Sequence, residues 1–352
     1  MKENKKIGVL IDNITHSGGT ERVASILSSG LIERGNEVCI FSLVDGKPYF
    51  PMHSSVTYWK DDCNNRMLKI FRISRYINKY NFDALIIISM GKLSFQSLPI
   101  LKVFSRNVKI ISCDHVSIES FKNPLRTLKC WSYSLADEVC VLTEYDKRFL
   151  TEKYKVKNVN VVRNISPYEN ISFNEGDLKR KKKIVIGVGR LAYQKNFLRL
   201  IDIWSQSHRD DWELHIIGTG EEHLALKEHI TSKKLQESVK LIGACNDMSL
   251  AYSSAAILCM TSRYEGLPMV LIECKNFGIP AIALKCKTGP EEIIENDGYV
   301  ISYEDDNAFS KRLSELIADD DLRIQYSKNA LNNAQTYSSR KIIDQWLVLI
   351  GR

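Results

Sequence analysis

The sequence predicts an α/β protein built from two doubly wound domains in series, and three observations carry that expectation. At 352 residues the chain is longer than one hydrophobic core comfortably supports. Short apolar runs alternate with helix-length amphipathic segments, stop in a polar stretch and then begin again. The composition, 44% hydrophobic and 26% charged with 18 Gly and 8 Pro, is that of an ordinary globular chain and excludes collagenous, low-complexity and disordered classes.

The elements follow in order. Lys6–Ile11 reads as a strand that ends in a loop carrying Gly18 and Gly19. A helical pattern runs from Glu21 to Arg34, Gly35 is a plausible C-terminal stop, and Val38–Leu43 reads as the next strand. Ala84–Ser89, Val108–Ser112, Glu138–Leu142 and Val159–Val162 continue the series. Helix-length segments separate them, which implies a mostly parallel sheet covered on both faces. Between 166 and 182 the pattern breaks at Pro167, Asn170, Asn174 and Gly176, and a lysine-rich run over 179–183 closes the gap. The alternation restarts with Ile184–Val188, Glu213–Ile217, Val239–Ile242, Ala256–Met260, Ala281–Leu284 and Tyr299–Ile301. We therefore expect a Rossmann-like domain over 1–165, a linker over 166–182 and a second Rossmann-like domain over 183–337. A final helix over 338–352, with Trp346 and Leu347, either finishes the second domain or returns to the first. In such sheets ligands sit beyond the carboxyl ends of the strands, here in a cleft that the two domains would face.

Composition also bounds location and partners. No run approaches 18 consecutive apolar residues, and the N-terminal apolar run is too short for a signal peptide. Nine cysteines, none spaced as CxxC, argue against a zinc site or a disulfide framework and for a reducing, cytoplasmic setting. Charge is uneven: residues 1–170 hold 25 Lys and Arg against 17 Asp and Glu, and residues 171–352 hold 24 against 25. Arg66, Lys69, Arg72, Arg75 and Lys79 recur every three or four residues beside Met67, Ile70, Ile73 and Ile77, and Lys122, Arg126 and Lys129 form a second patch. These read either as basic amphipathic helices that dock on an anionic membrane surface or as solvated helices whose apolar faces pack on their own domain. No zinc-finger, RNA-recognition or basic-zipper signature accompanies them, so nucleic acid is not the expected partner.

The chemistry concentrates between Thr261 and Ile294. A strand ends there in a loop, and Pro268 stands where a helix begins. The amides around Leu267, Met269 and Val270 would face an anion such as a diphosphate. Glu265 and Glu273, eight residues apart, lie on the order of 10 Å from each other if helical. That is wide for a pair attacking one glycosidic bond. It suits an extended ligand with hydroxyls at both ends and phosphates between, such as a sugar nucleotide; the alternative is two surface glutamates. The Asp319–Asp321 pair sits at a polar junction between helices and reads as a solvated turn, not as a holder of a divalent metal.

Glu265-Gly266-Leu267-Pro268-Met269-Val270-Leu271-Ile272-Glu273, followed by Phe277-Gly-Ile-Pro280 and Gly289-Pro-Glu-Glu292, closely resembles the EX7E region of family 4 retaining glycosyltransferases of the GT-B fold. The resemblance extends to Val188-Gly-Arg190-Leu191 with Lys195, and to Gly18-Gly19-Thr-Glu21-Arg22, so it spans nearly the whole chain in the family's order. It implies that 1–165 is an acceptor domain and 183–337 a donor domain. Arg190 and Lys195 would hold the donor diphosphate, Glu273 the ribose hydroxyls and Glu265 the transferred sugar. Gly18 and Gly19 would let backbone approach phosphates or acceptor, with a plain tight turn as the alternative, and Ala244 would lie in the loop that receives the base. His115, in Ser112-Cys-Asp-His115-Val, stands where the family often has a histidine facing the reacting sugar, although the neighbours differ from the usual Glu-His-Asn. A structural histidine is the alternative.

The resemblance further implies a retaining transfer by front-face displacement, with a UDP-linked hexose or N-acetylhexosamine as donor and UDP-GalNAc as the single expectation. The acceptor would be a polyprenyl-diphosphate-linked glycan in O-antigen, capsule or glycan assembly, met at the inner face of the cytoplasmic membrane. No cofactor and no divalent metal are expected. A sugar-nucleotide epimerase or hydrolase of the same fold, and a non-catalytic membrane-associated binding protein, are the competing readings. A nicotinamide oxidoreductase is disfavoured, because neither Gly187-Val-Gly189 nor Gly218-Thr-Gly220 completes GxGxxG.

Overall fold

The computed structural model describes residues 4–105, 107–169, 171, 173–207, 210–245 and 247–351; Asn170, used above to mark the connector, lies outside them. The described residues divide into two compact units, 4–165 with 338–351, and 166–337.

The first unit runs β1 (Lys6–Asn13), α1 (Gly19–Glu33), β2 (Glu37–Val44), β3 (Thr57–Trp59), α2 (Arg66–Lys79), β4 (Ala84–Ser89), α3 (Leu93–Phe104), β5 (Lys109–Asp114), α4 (Leu125–Tyr133), β6 (Glu138–Val141), α5 (Glu144–Arg148) and β7 (Val159–Val161). Its sheet has the order β3-β2-β1-β4-β5-β6-β7, every pair parallel. The strands are apolar on both sides, and period two divides them between two cores. Ile7, Val9, Ile11, Ile86 and Ile88 face α1, while Leu10, Phe41, Leu85 and Ile87 face α2 and α3.

The second unit runs α6 (Glu175–Lys179), β8 (Ile184–Val188), α7 (Phe197–Gln206), β9 (Glu213–Ile217), α8 (His223–Ser232), β10 (Val239–Gly243), α9 (Met248–Ser254), β11 (Ile257–Met260), α10 (Met269–Lys275), β12 (Ala281–Leu284), α11 (Pro290–Ile293), β13 (Gly298–Ile301), α12 (Asp306–Ala318) and α13 (Asp320–Ala334). Its sheet is again parallel, in the order β10-β9-β8-β11-β12-β13. Strand order thus reverses between β1 and β4 in one unit and between β8 and β11 in the other. Those switch points are where a doubly wound sheet opens room for a ligand beyond its strand ends.

The stretch 166–182 belongs to the second unit and carries α6. Asn174 and Asp177 cap each other's backbone amides there, and Leu178 is buried. The last helix, α14 (Ser339–Gly351), packs on α1 in the first unit. Lys5 Nζ and Lys109 Nζ donate to its final carbonyls, Ile350 O at 3.1 Å and Leu349 O at 2.7 Å. Asp319 ends α12 and caps α13 by accepting from the Leu322 amide at 2.8 Å. No helix among the described residues is long and apolar enough to cross a membrane.

Candidate active site

Two loops leave the switch point of the second sheet. The one after β8 carries Arg190 and Lys195, and the one after β11 carries Glu265. Because β8 and β11 are neighbours, segments some 70 residues apart in sequence meet side by side. Lys195 Nζ lies 2.6 Å from Glu265 Oε1, with the two side chains 17% and 8% exposed. Gln194 Nε2 donates to Tyr264 O at 2.9 Å, and the Arg263 amide donates to Gln194 O at 2.8 Å. Arg263 spans the junction, with Nη2 donating to Asn196 Oδ1 at 2.8 Å and Nε to Tyr193 O at 3.1 Å. The motif reading did not pick out Arg263 or Gln194, because their partners are set by strand order and not by local spacing.

A third loop, after β12, closes on the second. Thr288 Oγ1 donates to Glu265 O. Gly289 has φ +99°, and a Cβ there would meet Pro268 Cδ at 2.5 Å and Gly266 O at 2.8 Å. Glycine is therefore required twice over, by conformation and by close approach. Pro268 is the residue that caps α10, and Met269 is the first helical one, one position later than the sequence suggested.

Arg190 is exposed on the loop that also carries Lys195 and forms no ion pair among the described residues. Glu273 is 4% exposed within α10 and accepts from the Tyr252 hydroxyl at 2.7 Å. Leu267 and Pro268 are buried, while Gly266, Met269 and Val270 are half-buried. Ala244 is exposed on the loop after β10, where Gly243 O accepts from the Gly218 amide at 2.8 Å.

At the switch point of the first sheet, the loop after β1 ends at Gly18, which caps α1, and Gly19 is the first residue of that helix. A Cβ on Gly19 would meet nothing within 4 Å, whereas one on Gly18 would strike Glu21 Oε2 at 2.4 Å. Both glycines are exposed, and a side chain at Gly19 would enter open space. His115 follows β5 and is half-buried, its amide donating to Ser89 O at 2.9 Å. Burial pulls its imidazole down to about 4 against the opposing pull of the Asp114 carboxylate. The ring is neutral at physiological pH and serves as a hydrogen-bonding group, not a cation. Its Nε2 lies 3.3 Å from Cys113 Sγ, a thiol that burial keeps protonated.

Two of the expected membrane cations are corrected by their burial. Lys69 pairs with Asp45 at 2.5 Å and is 5% exposed. Lys129 is fully enclosed, 2.6 Å from Asp114 Oδ1 and 2.7 Å from Gly91 O. An ammonium held that way cannot meet a lipid headgroup. Arg66 pairs with Asp12, Arg72 pairs with Asp61 at 2.8 Å, and Arg126 is half-buried. Arg72, Arg75, Lys79 and Lys122 are exposed.

Residues 17–165 match the family described as Glycosyltransferase Family 4, and residues 169–333 match Glycosyl transferases group 1. The amylovoran biosynthesis glycosyltransferase AmsD of Erwinia amylovora is 46% identical over 97% of this chain and 98% of its own length. The chain belongs to the family 4, group 1 glycosyltransferases. A Campylobacter jejuni relative, GalNAc-alpha-(1->4)-GalNAc-alpha-(1->3)-diNAcBac-PP-undecaprenol alpha-1,4-N-acetyl-D-galactosaminyltransferase, is 27% identical over 98% of both chains. Anabaena HepE in complex with UDP shares the fold at TM-score 0.79, with 16% identity, covering 98% of this chain and 99% of that one. The two parallel-sheet units of this glycosyltransferase are those of the GT-B architecture, and its relatives place it in polysaccharide biosynthesis.

Proposed function

We propose that this glycosyltransferase transfers a hexose or N-acetylhexosamine, with GalNAc as the first choice, from a UDP-sugar to a polyprenyl-diphosphate-linked glycan, with retention at the anomeric carbon. The observation that carries it is the meeting of Lys195 and Glu265 beyond β8 and β11, with Arg190 on the same loop as Lys195. Two cations on one strand-end loop suit a departing nucleoside diphosphate, whose negative charge grows as the glycosidic bond breaks. In this reading Glu273 holds the ribose, Glu265 the transferred sugar and Ala244 lies near the base. Arg190 and Lys195, with the backbone around Met269 and Val270, neutralise the diphosphate without a metal. The displacement in this reading is front-face, the acceptor hydroxyl entering on the side from which UDP leaves. The leaving phosphate takes that hydroxyl's proton, and the neutral His115 donates or accepts a hydrogen bond at the reacting sugar. The Campylobacter relative, named for GalNAc transfer to an undecaprenol-linked glycan, supports this donor and acceptor.

The test is to incubate the protein with UDP- and GDP-sugars, with and without a polyprenyl-diphosphate-linked N-acetylhexosamine, and weigh the lipid. An increment of one N-acetylhexosamine from UDP-GalNAc alone is the expected result. Donor breakdown without a lipid product would favour an epimerase or hydrolase instead.

A lipid-borne acceptor calls for peripheral attachment to the inner face of the cytoplasmic membrane. Exposed apolar side chains support it: Leu128 and Trp131 on α4, 51% and 61% exposed, stand close in sequence to the exposed Lys122. Replacing Leu128 and Trp131 by serine, or neutralising Arg72, Arg75 and Lys79, should lower binding to phosphatidylglycerol liposomes, the second in a salt-dependent way. Unchanged sedimentation with liposomes in both variants would remove this face from the membrane.

A further inference from the structure

We propose that Tyr252 is a positioning residue of the donor site, fixing the carboxylate of Glu273 for the nucleotide's ribose hydroxyls. The inference rests on the reading of Glu273 as the ribose group. Tyr252 lies on α9 and Glu273 on α10, and both are buried. The phenol donates to Glu273 Oε2 at 2.7 Å. Burial first, and the neighbouring carboxylate second, push the phenol's ionisation far up, so it remains a donor throughout the physiological range. A carboxylate that swings between rotamers would engage two vicinal hydroxyls poorly. One oxygen tied to a fixed donor sets the plane in which the carboxylate presents itself.

The donor itself is fixed at both ends. The Tyr252 ring is wedged against Tyr168 and Phe277, with centroids 5.9 and 5.2 Å away. Its carbonyl accepts from Lys181 Nζ at 3.2 Å, and the same nitrogen reaches Ala255 O at 2.8 Å. Lys181 thereby ties down the last turn of α9, where backbone carbonyls lack intrahelical donors. A chain of contacts runs from Lys181 through Tyr252 to Glu273, and it uses none of the residues assigned to the diphosphate.

The experiment compares binding of UDP and 2′,3′-dideoxy-UDP to the wild type, Glu273→Ala, Tyr252→Phe and the double variant, by calorimetry, with Glu273→Gln as a second carboxylate variant should alanine fail to fold. The wild type should prefer UDP, and Glu273→Ala should lose that preference. Tyr252→Phe should weaken UDP by about tenfold, the scale of one hydrogen bond to a charged group, and leave the dideoxy analogue unchanged. The double variant should add nothing to Glu273→Ala. If Glu273→Ala keeps the preference for UDP, the ribose reading itself falls, and the proposal with it. If Glu273→Ala loses the preference while Tyr252→Phe retains it, only the positioning role is overturned. A Tyr252→Phe variant that weakens both nucleotides equally makes the tyrosine structural and also overturns it.

Discussion

Lys195→Ala is expected to lower turnover by about 100-fold or more, the usual cost of removing one group that stabilises developing charge. Two effects push in the same direction. The diphosphate loses a cation, and Glu265, with its side chain only 8% exposed and 2.6 Å from the ammonium, is left as an unpaired carboxylate beside the departing anion. The second effect separates cleanly. Lys195→Ala with Glu265→Gln removes the stranded charge, so that pair should be faster than Lys195→Ala combined with an intact Glu265, provided Glu265 acts on the sugar by hydrogen bonding. Arg190→Ala should also slow turnover, but without the second effect, since Arg190 has no ion-pair partner among the described residues. Steady-state rates for the wild type and the three variants with saturating donor give the comparison. Near-wild-type turnover in Lys195→Ala would sink the leaving-group role.

The fold was legible wherever burial on both faces forced a continuous apolar run. Ala84–Ser89 is one such strand, and all six residues are buried. Repetition of those runs at crossover spacing was enough to imply two parallel sheets. The edge strand β3 escaped because it is only three residues long, too short for a period of two to show, with Thr57 and Tyr58 exposed. Helical periodicity was equally good at finding α2, with Asn65 capping it by accepting from the Leu68 amide at 3.1 Å. Periodicity did not reveal which cations the helix sends inward. Lys69 lies 24 positions from Asp45 and Lys129 lies 15 from Asp114, so their neutralisation is a tertiary event that no local window contains. Met67, grouped with the apolar face by its spacing, is instead 46% exposed. The order of motifs exposed Arg190, Lys195, Glu265 and Glu273 as candidates because they are charged residues in strand-end or helix-start contexts. Tyr252 and Arg263 stayed hidden for the opposite reason. Each acts through a partner supplied by a neighbouring segment of the folded sheet, and a lone tyrosine in Ser249-Leu-Ala-Tyr252-Ser-Ser looks like any helix residue.

Lys129→Met should destabilise the first unit by about 3–5 kcal/mol, the cost of leaving a buried charge without its partner. Asp114 is 2% exposed at the end of β5, and it takes the ammonium on one oxygen and the Tyr133 hydroxyl on the other. Lys129 also donates to Gly91 O and sits 4.7 Å from the Phe121 ring centre, so the ammonium ties together α4, the end of β5 and the loop after β4. Desolvation makes such a pair costly to build and costlier to break on one side. The double variant Lys129→Met with Asp114→Asn should therefore lose clearly less than the sum of the two single losses, by roughly 0.5–3 kcal/mol of coupling. Because a chain of two units need not unfold in one step, the reading should be local: hydrogen exchange of peptides covering β5 and α4 through a urea series. The consequence for chemistry lies next door. His115 follows Asp114 directly and hangs from Ser89 O, so loosening the pair moves the imidazole through its backbone. Lys129→Met should then reduce turnover at temperatures where the unit is still folded, and binding of the folded protein to liposomes should not change, because that ammonium never reaches the surface. Unaltered exchange at β5 and α4 would show that the pair adds nothing to this unit's stability.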